Sequence, residues 1–273
     1  MTYKMIVLDL DDTLLRDDQT ISKRTKNALL QAQEAGVKVV LASGRPTYGM
    51  RWVAKELKLD QYGSYILSFN GSKIIDCKTD EEKYSRTLSS ETVHRLYDLS
   101  KREEVGILTY AEDAIIVEET NQFASIESEL TGLPVKVVPD FKEAITGPVD
   151  KALMLKEAVH LAEVEKKLQT ELDGELSVMR SKPFFLEFTQ LGVTKGASLD
   201  YLITPMGITS DEVIAIGDSY NDLTMIEFAG LGVAMGNAPE DIKEKADYVA
   251  PSNMEDGVAE VVEKFVLNEL SRI

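Results

Sequence analysis

The sequence has 273 residues, which suits one large domain or two smaller ones, and its 44% hydrophobic and 28% charged residues exclude an intrinsically disordered chain. A net charge of −17 would repel nucleic acid, and no basic cluster offsets it, so we expect no nucleic-acid partner. The single cysteine, Cys77, excludes an intramolecular disulfide and a cysteine-based zinc site. We find no signal peptide and no long apolar window, and therefore expect a cytoplasmic protein without a membrane partner.

An apolar run near the N-terminus ends in a group of acidic residues. Residues 5–8 read Met-Ile-Val-Leu, which is typical of a strand buried on both faces of a parallel sheet, and Asp9, Asp11 and Asp12 follow. Alternation along an extended chain places Asp9 and Asp11 on one side and Leu10 on the other. Carboxylates this close raise one another's pKa unless a cation lies among them. The stretch predicts a divalent-metal site; an acidic turn after an edge strand is the alternative.

The following residues predict an alternation of helices and strands. Ser22 can cap a helix over 23–35, with Gly36 just beyond its end, and a strand over 37–41 leads into Ser43-Gly44-Arg45-Pro46. Because a helix joins two strands here, the segment predicts a βαβ unit. The chain continues with a helix over 47–58, a strand over 65–69, an Asn70-Gly71 hairpin turn and a short strand over 73–75.

The pattern changes between about residues 83 and 190, where no acidic residues gather at strand ends. We predict a separate α/β domain inserted into the first. Its strands are predicted at 105–110, 114–118, 151–155, 175–179 and 184–188, and its helices at 90–102, 121–131 and 159–172.

The first pattern resumes at about residue 191. Thr194 can cap a helix over 195–206, and a buried strand over 213–216 ends in Gly217-Asp218-Ser219-Tyr220-Asn221-Asp222. We predict a Rossmann-like parallel sheet, since strands joined through helices by right-handed crossovers lie side by side. The remaining elements are predicted as helices over 223–229, 240–246 and 256–270 and strands over 231–235 and 247–249.

Polar residues at separate strand ends are predicted to share one edge of this sheet. Acidic residues there would bind a cation, and Ser43, Lys195 and backbone amides would bind an anion. Lys195 lies in the first turn of a helix, where its positive charge opposes the helix macrodipole. This placement is more readily explained if an anion lies beside it; a solvent-exposed lysine is the alternative. Similarly, Asp218 or Ser219 could be a simple helix N-cap. Metal and phosphate together indicate phosphoryl transfer.

The sequence resembles the haloacid dehalogenase-like hydrolases in four motifs. Asp9-Leu10-Asp11-Asp12-Thr13 resembles the first motif, and Ser43, Lys195 and residues 217–222 match the second, third and fourth in order. Asp12 departs from the family, whose commonest residue there is glycine. The insert is similar to a C2-type cap, which gives a core of 1–82 and 191–273 and a cap of 83–190. The Cof-type subgroup, including the YidA-like sugar phosphatases, is indicated by residues 43–46, 69–71 and 235–238.

The resemblance implies a Mg²⁺-dependent phosphatase that hydrolyses small phosphorylated metabolites, with sugar phosphates favoured, through an aspartyl-phosphate. Asp9 would be the nucleophile, and Asp11 the general acid and then the general base. The implied metal-binding residues are Asp9, a backbone carbonyl of Leu10 or Asp11, Asp218, and Asp222 acting directly or indirectly. Those that would bind phosphate are Leu10, Ser43, Gly44, Lys195 and Asn221, and Arg45 and Asn70 would contact the rest of the substrate. Thr13 would tie the loop by hydrogen bonds.

Two other functions stay open at this point. A phosphomutase or phosphotransferase would use the same aspartyl-phosphate and pass the phosphoryl group to a second sugar. A non-enzymatic phospho-acceptor switch also pairs acids with a hydroxyl residue and a lysine, although Asp11 and the large insert argue against it. We expect the insert to select the substrate. The sequence leaves the oligomeric state open.

Overall fold

The computed structural model describes residues 3–111 and 113–268, which form two compact units. The first unit comprises the described residues up to Tyr84 and from Thr194 onward, and the second is Ser85–Val193. The boundaries expected from the sequence lie a few residues before these limits. That the second unit is a C2-type cap stays a prediction.

Strands and helices alternate along much of both units. The strands are, in chain order, β1 (Met5–Leu8), β2 (Lys38–Ala42), β3 (Tyr65–Ser68), β4 (Lys73–Asp76), β5 (Glu82–Ser85), β6 (Gly106–Ala111), β7 (Ala114–Val117), β8 (Val135–Val137), β9 (Ala152–Leu155), β10 (Leu176–Lys182), β11 (Phe185–Gln190), β12 (Val213–Gly217), β13 (Leu231–Ala234) and β14 (Tyr248–Val249). The α-helices are α1 (Lys23–Glu34), α2 (Thr47–Glu56), α3 (Leu59–Tyr62), α4 (Ser90–Arg102), α5 (Gln122–Thr131), α6 (Phe141–Ala144), α7 (Ala158–Glu171), α8 (Lys195–Ile203), α9 (Leu223–Phe228), α10 (Glu240–Lys243) and α11 (Gly257–Val262).

The sheet of the first unit has the order β14-β13-β12-β1-β2-β3-β4-β5. Strand β1 pairs in parallel with both β12 and β2, which puts their carboxyl ends at one edge. Its residues contribute alternately to two hydrophobic clusters: Ile6 and Leu8 to one, and Met5 and Val7 to the other. The α/β fold class with a parallel sheet core, and the prediction of a strand buried on both faces, are therefore confirmed.

The second unit contains its own sheet, of order β10-β11-β9-β6-β7-β8, in which only the β7–β8 pair is parallel among the strand pairs described. Its hydrophobic cluster joins residues of α4 and α7, such as Leu96 and Leu161, to strand residues such as Met154. Strand β8 and helix α6 were absent from the sequence-based expectation. Both are very short, and β8 is a partly exposed edge strand without a continuous apolar run.

One local prediction, the hairpin turn, was wrong in detail. The predicted hairpin between β3 and β4 exists, but four residues separate the paired Ser68 and Lys73, whereas an Asn-Gly turn has two. Phe69, Asn70 and Gly71 all have positive φ, of 52°, 58° and 95°. The cause is tertiary, because the amides of Phe69 and Asn70 donate to the Arg45 and Ser43 carbonyls.

Several helices end earlier than their patterns suggest. The helix predicted over 195–206 is α8 followed by a 3₁₀ turn, Thr204–Met206, which contains Pro205. Helix α10 is a single turn. The last predicted helix is α11 followed by a π-helical turn, Glu263–Leu267, and its predicted end at residues 269 and 270 lies outside the described residues. Among residues 3–111 and 113–268, no helix is both long enough and apolar enough to span a bilayer.

Candidate active site

The carboxyl ends of β1, β2 and β12 bring together the polar residues that the sequence singled out. Asp9 follows β1, and its amide donates to the Ile216 carbonyl of β12. Lys195 is the first residue of α8, whose N-terminus is fixed by Thr194, since the Thr194 hydroxyl accepts from the Ala197 amide. Helix α8 thereby places the Lys195 ammonium among the strand ends.

Lys195 is fully buried and bridges two carboxylates. Its Nζ lies 2.5 Å from Asp9 Oδ1 and 2.5 Å from Asp222 Oδ1. Burial by itself would lower the pKa of Lys195, but the negative charges of Asp222 and Asp9 outweigh burial and raise it. The alternative of a solvent-exposed lysine is therefore wrong, and Lys195 is held as a cation inside the site.

Three aspartates form a group that could hold a metal ion. One carboxylate oxygen from each of Asp9, Asp218 and Asp222 lies within 4.8 Å of the others. Two of the three carboxylates pair with the single ammonium of Lys195, so the group carries excess negative charge when ionised. Carboxylate oxygens with excess negative charge suit a hard divalent cation such as Mg²⁺.

The pKa values of two of these acids reflect their burial and this unbalanced charge. Burial, followed by the charge of Asp222, raises the pKa of Asp9 well above its ordinary value, and Lys195 only partly opposes the shift. Burial and Asp222 also raise the pKa of Asp218 to about 7, against a hydrogen bond from Thr13 that lowers it. That bond, 2.7 Å from Thr13 Oγ1 to Asp218 Oδ1, ties the first loop to the loop after β12.

Asp222 is fully buried and hydrogen-bonded through both carboxylate oxygens. Its Oδ2 accepts from the amides of Asp218 (3.0 Å) and Ser219 (2.9 Å), and its Oδ1 accepts from Lys195. Ser219 and Asp222 also form a reciprocal capping box, so the N-cap interpretation is right for Ser219. Through these bonds Asp222 can orient Lys195 and the loop that contains Asp218 and Ser219.

The acidic group differs from the one that local spacing suggested. The sequence pointed to Asp9, Asp11 and Asp12, but the Asp11 carboxylate turns to Arg45 and Asp12 is exposed. Asp11 keeps an extended backbone, with φ of −69° and ψ of 129°, and its carboxylate is held away from the acidic group by the two hydrogen bonds from Arg45. At Asp12 a φ of 61° turns the chain out of the extended conformation. A metal contact through the Asp11 backbone carbonyl stays a prediction.

The predicted phosphate-binding residues lie in neighbouring loops. Ser43 is buried, and its hydroxyl accepts from the Arg45 amide at 3.2 Å. The Asn221 side-chain amide donates to Asn70 Oδ1 at 3.0 Å, which links the loop after β12 to the turn after β3. The Leu10 side chain is fully buried and its carbonyl accepts from the Leu15 amide, so Leu10 can contribute only through its backbone.

Arg45 and two residues outside the predicted site lie around Asp11 and Asp12. Arg45 was expected to contact substrate, and here it binds Asp11 and also donates to Gln19 Oε1. No sequence signal pointed to Gln19. Asn237 donates to the Asp12 carbonyl at 2.8 Å, and it belongs to the segment 235–238 that carried the Cof-type resemblance.

Comparisons with known proteins identify the family of the chain. A profile of haloacid dehalogenase-like hydrolases matches residues 6–262, and the chain belongs to that family. It is similar to the 5-amino-6-(5-phospho-D-ribitylamino)uracil phosphatase YcsE of Bacillus subtilis, with 33% identity over 97% of this chain and 96% of the relative.

Solved structures show the same fold. A haloacid dehalogenase-like hydrolase from Bacteroides thetaiotaomicron is 45% identical, with a TM-score of 0.90 over 96% of this chain and 99% of that chain. The subclass IIB sugar phosphatase BT4131 is 28% identical, with a TM-score of 0.82 over 96% of this chain and 98% of that chain. The family resemblance seen in the four motifs is therefore confirmed.

Proposed function

We propose that this protein is a Mg²⁺-dependent phosphatase that hydrolyses small phosphorylated metabolites, especially sugar phosphates, through an aspartyl-phosphate. The observation that carries the proposal is the buried Asp9, which touches Lys195 and belongs to a group of three aspartates at the strand ends. Asp11, a second carboxylate, lies two residues further on. The names of two similar proteins, a phosphatase of a phosphorylated ribityl compound and a sugar phosphatase, support the substrate class.

The metal would be held by Asp9 and Asp218, with Asp222 in the same group. When bound, Mg²⁺ would neutralise negative charge shared by the phosphoryl group and the aspartates. Asp222 would fix the loop after β12 through its bonds to the amides of Asp218 and Ser219. It would also hold Lys195 against Asp9.

The chain's own residues would carry out two displacements at phosphorus. A carboxylate oxygen of Asp9 attacks phosphorus, and Asp11 gives its proton to the leaving alcohol. In the second step Asp11 takes a proton from water, whose oxygen attacks phosphorus and releases the Asp9 carboxylate with inorganic phosphate. Hydrogen-bond donors around the phosphoryl oxygens stabilise the charge at each step; we assign this role to Ser43, the Gly44 amide, Lys195 and Asn221.

The test is inorganic phosphate release from a panel of sugar phosphates, phosphorylated polyols, nucleotides and p-nitrophenyl phosphate, with Mg²⁺ and with EDTA. We expect metal-dependent release, reduced by at least about 10³-fold in Asp9→Asn, which removes the nucleophilic charge at nearly constant shape. A folded protein that releases phosphate from no compound would contradict the proposal. Transfer of the phosphoryl group to an added sugar would then identify a transferase, and a phosphate that stays on Asp9 for hours would identify a phospho-acceptor switch.

A further inference from the structure

The Asp11 carboxylate is anchored by two hydrogen bonds from one guanidinium. Arg45 Nε lies 2.9 Å from Asp11 Oδ2, and Arg45 Nη2 lies 2.6 Å from Oδ1. The Arg45 side chain is only 11% exposed, while that of Asp11 is 44% exposed. Gln19 Oε1 also accepts from Arg45 Nη2 at 2.5 Å. The arginine is therefore engaged by residues of its own unit while the carboxylate faces outward.

This geometry leaves Asp11 able to accept a proton. Each carboxylate oxygen has two lone-pair positions, and Arg45 occupies one on each. A guanidinium that donates twice fixes both the position and the plane of a carboxylate, which a lysine cannot do. The outward-facing lone pairs stay accessible to a water molecule.

We propose that Arg45 is a positioning residue that holds the Asp11 carboxylate for the water-activating step, and that it is not a substrate contact. This role rests on the proposed phosphatase function. After Asp11 has protonated the leaving alcohol, it becomes the carboxylate that Arg45 anchors. Water then loses a proton to Asp11 as its oxygen bonds to phosphorus, and the bond between phosphorus and the Asp9 oxygen breaks. Asp11 is thereby reprotonated for the next substrate.

The experiment uses the full-length Arg45→Met and Arg45→Lys variants with p-nitrophenyl phosphate and with the best sugar phosphate. Arg51→Met is the matched control, because Arg51 is an exposed arginine that pairs with Asp80. We expect kcat to fall about 10–100-fold for both substrates with no rise in KM, since both pass through the same phosphoenzyme. Rapid mixing with p-nitrophenyl phosphate should show a burst of about one p-nitrophenol per enzyme. The kcat of Arg45→Lys should lie between those of the wild type and Arg45→Met.

A double variant tests whether Arg45 acts through Asp11. We expect Asp11→Asn combined with Arg45→Met to be no slower than Asp11→Asn by itself, because the positioned group is already lost. A raised KM for the sugar phosphate without a burst would overturn the proposal in favour of substrate contact. Unchanged kinetics in Arg45→Met would overturn it as well. An inactive wild-type protein would instead overturn the phosphatase function, so the two failures are distinguishable.

Discussion

At the scale of single residues, the main feature of the site is a negative charge that the protein itself leaves unbalanced. Lys195 satisfies Asp9 and Asp222, but Asp218 receives only the Thr13 hydroxyl among the side-chain partners described. Burial and Asp222 therefore raise the pKa of Asp218 to about 7. An acid with this pKa is half protonated near neutral pH and must lose its proton before it binds a cation.

The first prediction concerns this proton. Below pH 7 Asp218 carries a proton that Mg²⁺ must displace, so Mg²⁺ affinity should fall as the pH falls, by about tenfold per unit while one proton is released per ion. Above pH 7 the contribution of Asp218 to this dependence should flatten. The measurement is the Mg²⁺ affinity, determined by calorimetric titration between about pH 5.5 and 8.5 at about 25 °C. The Asp218→Asn variant should bind Mg²⁺ weakly, and its affinity should depend less on pH. An affinity that does not change across this pH range would contradict the assignment.

Asp12 shows how a local strain is tolerated beside the nucleophile. Its φ of 61° lies in the left-handed region, where residues other than glycine cost about 1–2 kcal/mol and aspartate is among the better tolerated. Asn237 donates to the Asp12 carbonyl and helps to fix this turn. Glycine, which the family resemblance implies as the commonest residue at this position, is the residue that adopts such a backbone most readily.

The second prediction follows from that conformation. Asp12→Gly should keep the fold and most of the activity, whereas Asp12→Val should lower the free energy of unfolding by about 1–2 kcal/mol relative to Asp12→Gly. Urea unfolding of both variants, followed by circular dichroism, measures the difference. Equal stabilities would show that the turn relaxes at no cost.

At the scale of elements, the end of β12 and the turn after it form one packed piece. A Cβ on Gly217 would lie 2.5 Å from both Cβ and Cγ of Asp222, closer than any real contact. These atoms lie near the backbone of a fully buried residue, so they cannot swing aside. Glycine at the end of β12 is thus what lets Asp222 reach Lys195 and the amides of the turn.

The third prediction tests this packing. Gly217→Ala should displace Asp222, lower the free energy of unfolding by about 1–3 kcal/mol and reduce kcat at least about tenfold. Gly147→Ala is the matched control, since nothing lies within 4 Å of its added Cβ. Thermal unfolding and phosphate release are the measurements. A Gly217→Ala variant as active and stable as the control would disprove the packing argument.

At the scale of the whole molecule, the two compact units each have a hydrophobic cluster of their own. One cluster of the first unit surrounds residues such as Leu8 and Leu41, and the cluster of the second surrounds residues such as Leu96 and Met154. The acidic group and Lys195 belong entirely to the first unit. We propose that metal binding and phosphoryl chemistry reside in the first unit, and that the second unit selects the substrate.

The fourth prediction separates these roles. Replacing Ser85–Val193 with a short flexible linker should preserve Mg²⁺ binding within about threefold, because all the acidic ligands remain. The differences in kcat/KM among sugar phosphates should largely disappear, while p-nitrophenyl phosphate is still cleaved. An unchanged ranking of substrates would show that the first unit selects the substrate by itself.

The sequence by itself determined most of the elements and most of the residues that meet at the strand ends. Apolar runs, the helix-capping residues Ser22 and Thr194, and right-handed crossovers are local rules, and they were enough to bring Asp9, Lys195 and Asp218 to one edge. Only the tertiary structure decided which side chains pair there. Lys195 meets Asp9 across 186 residues, and Arg45 meets Asp11 across 34. Such pairings depend on burial and distance in the folded chain, for which local spacing carries no signal.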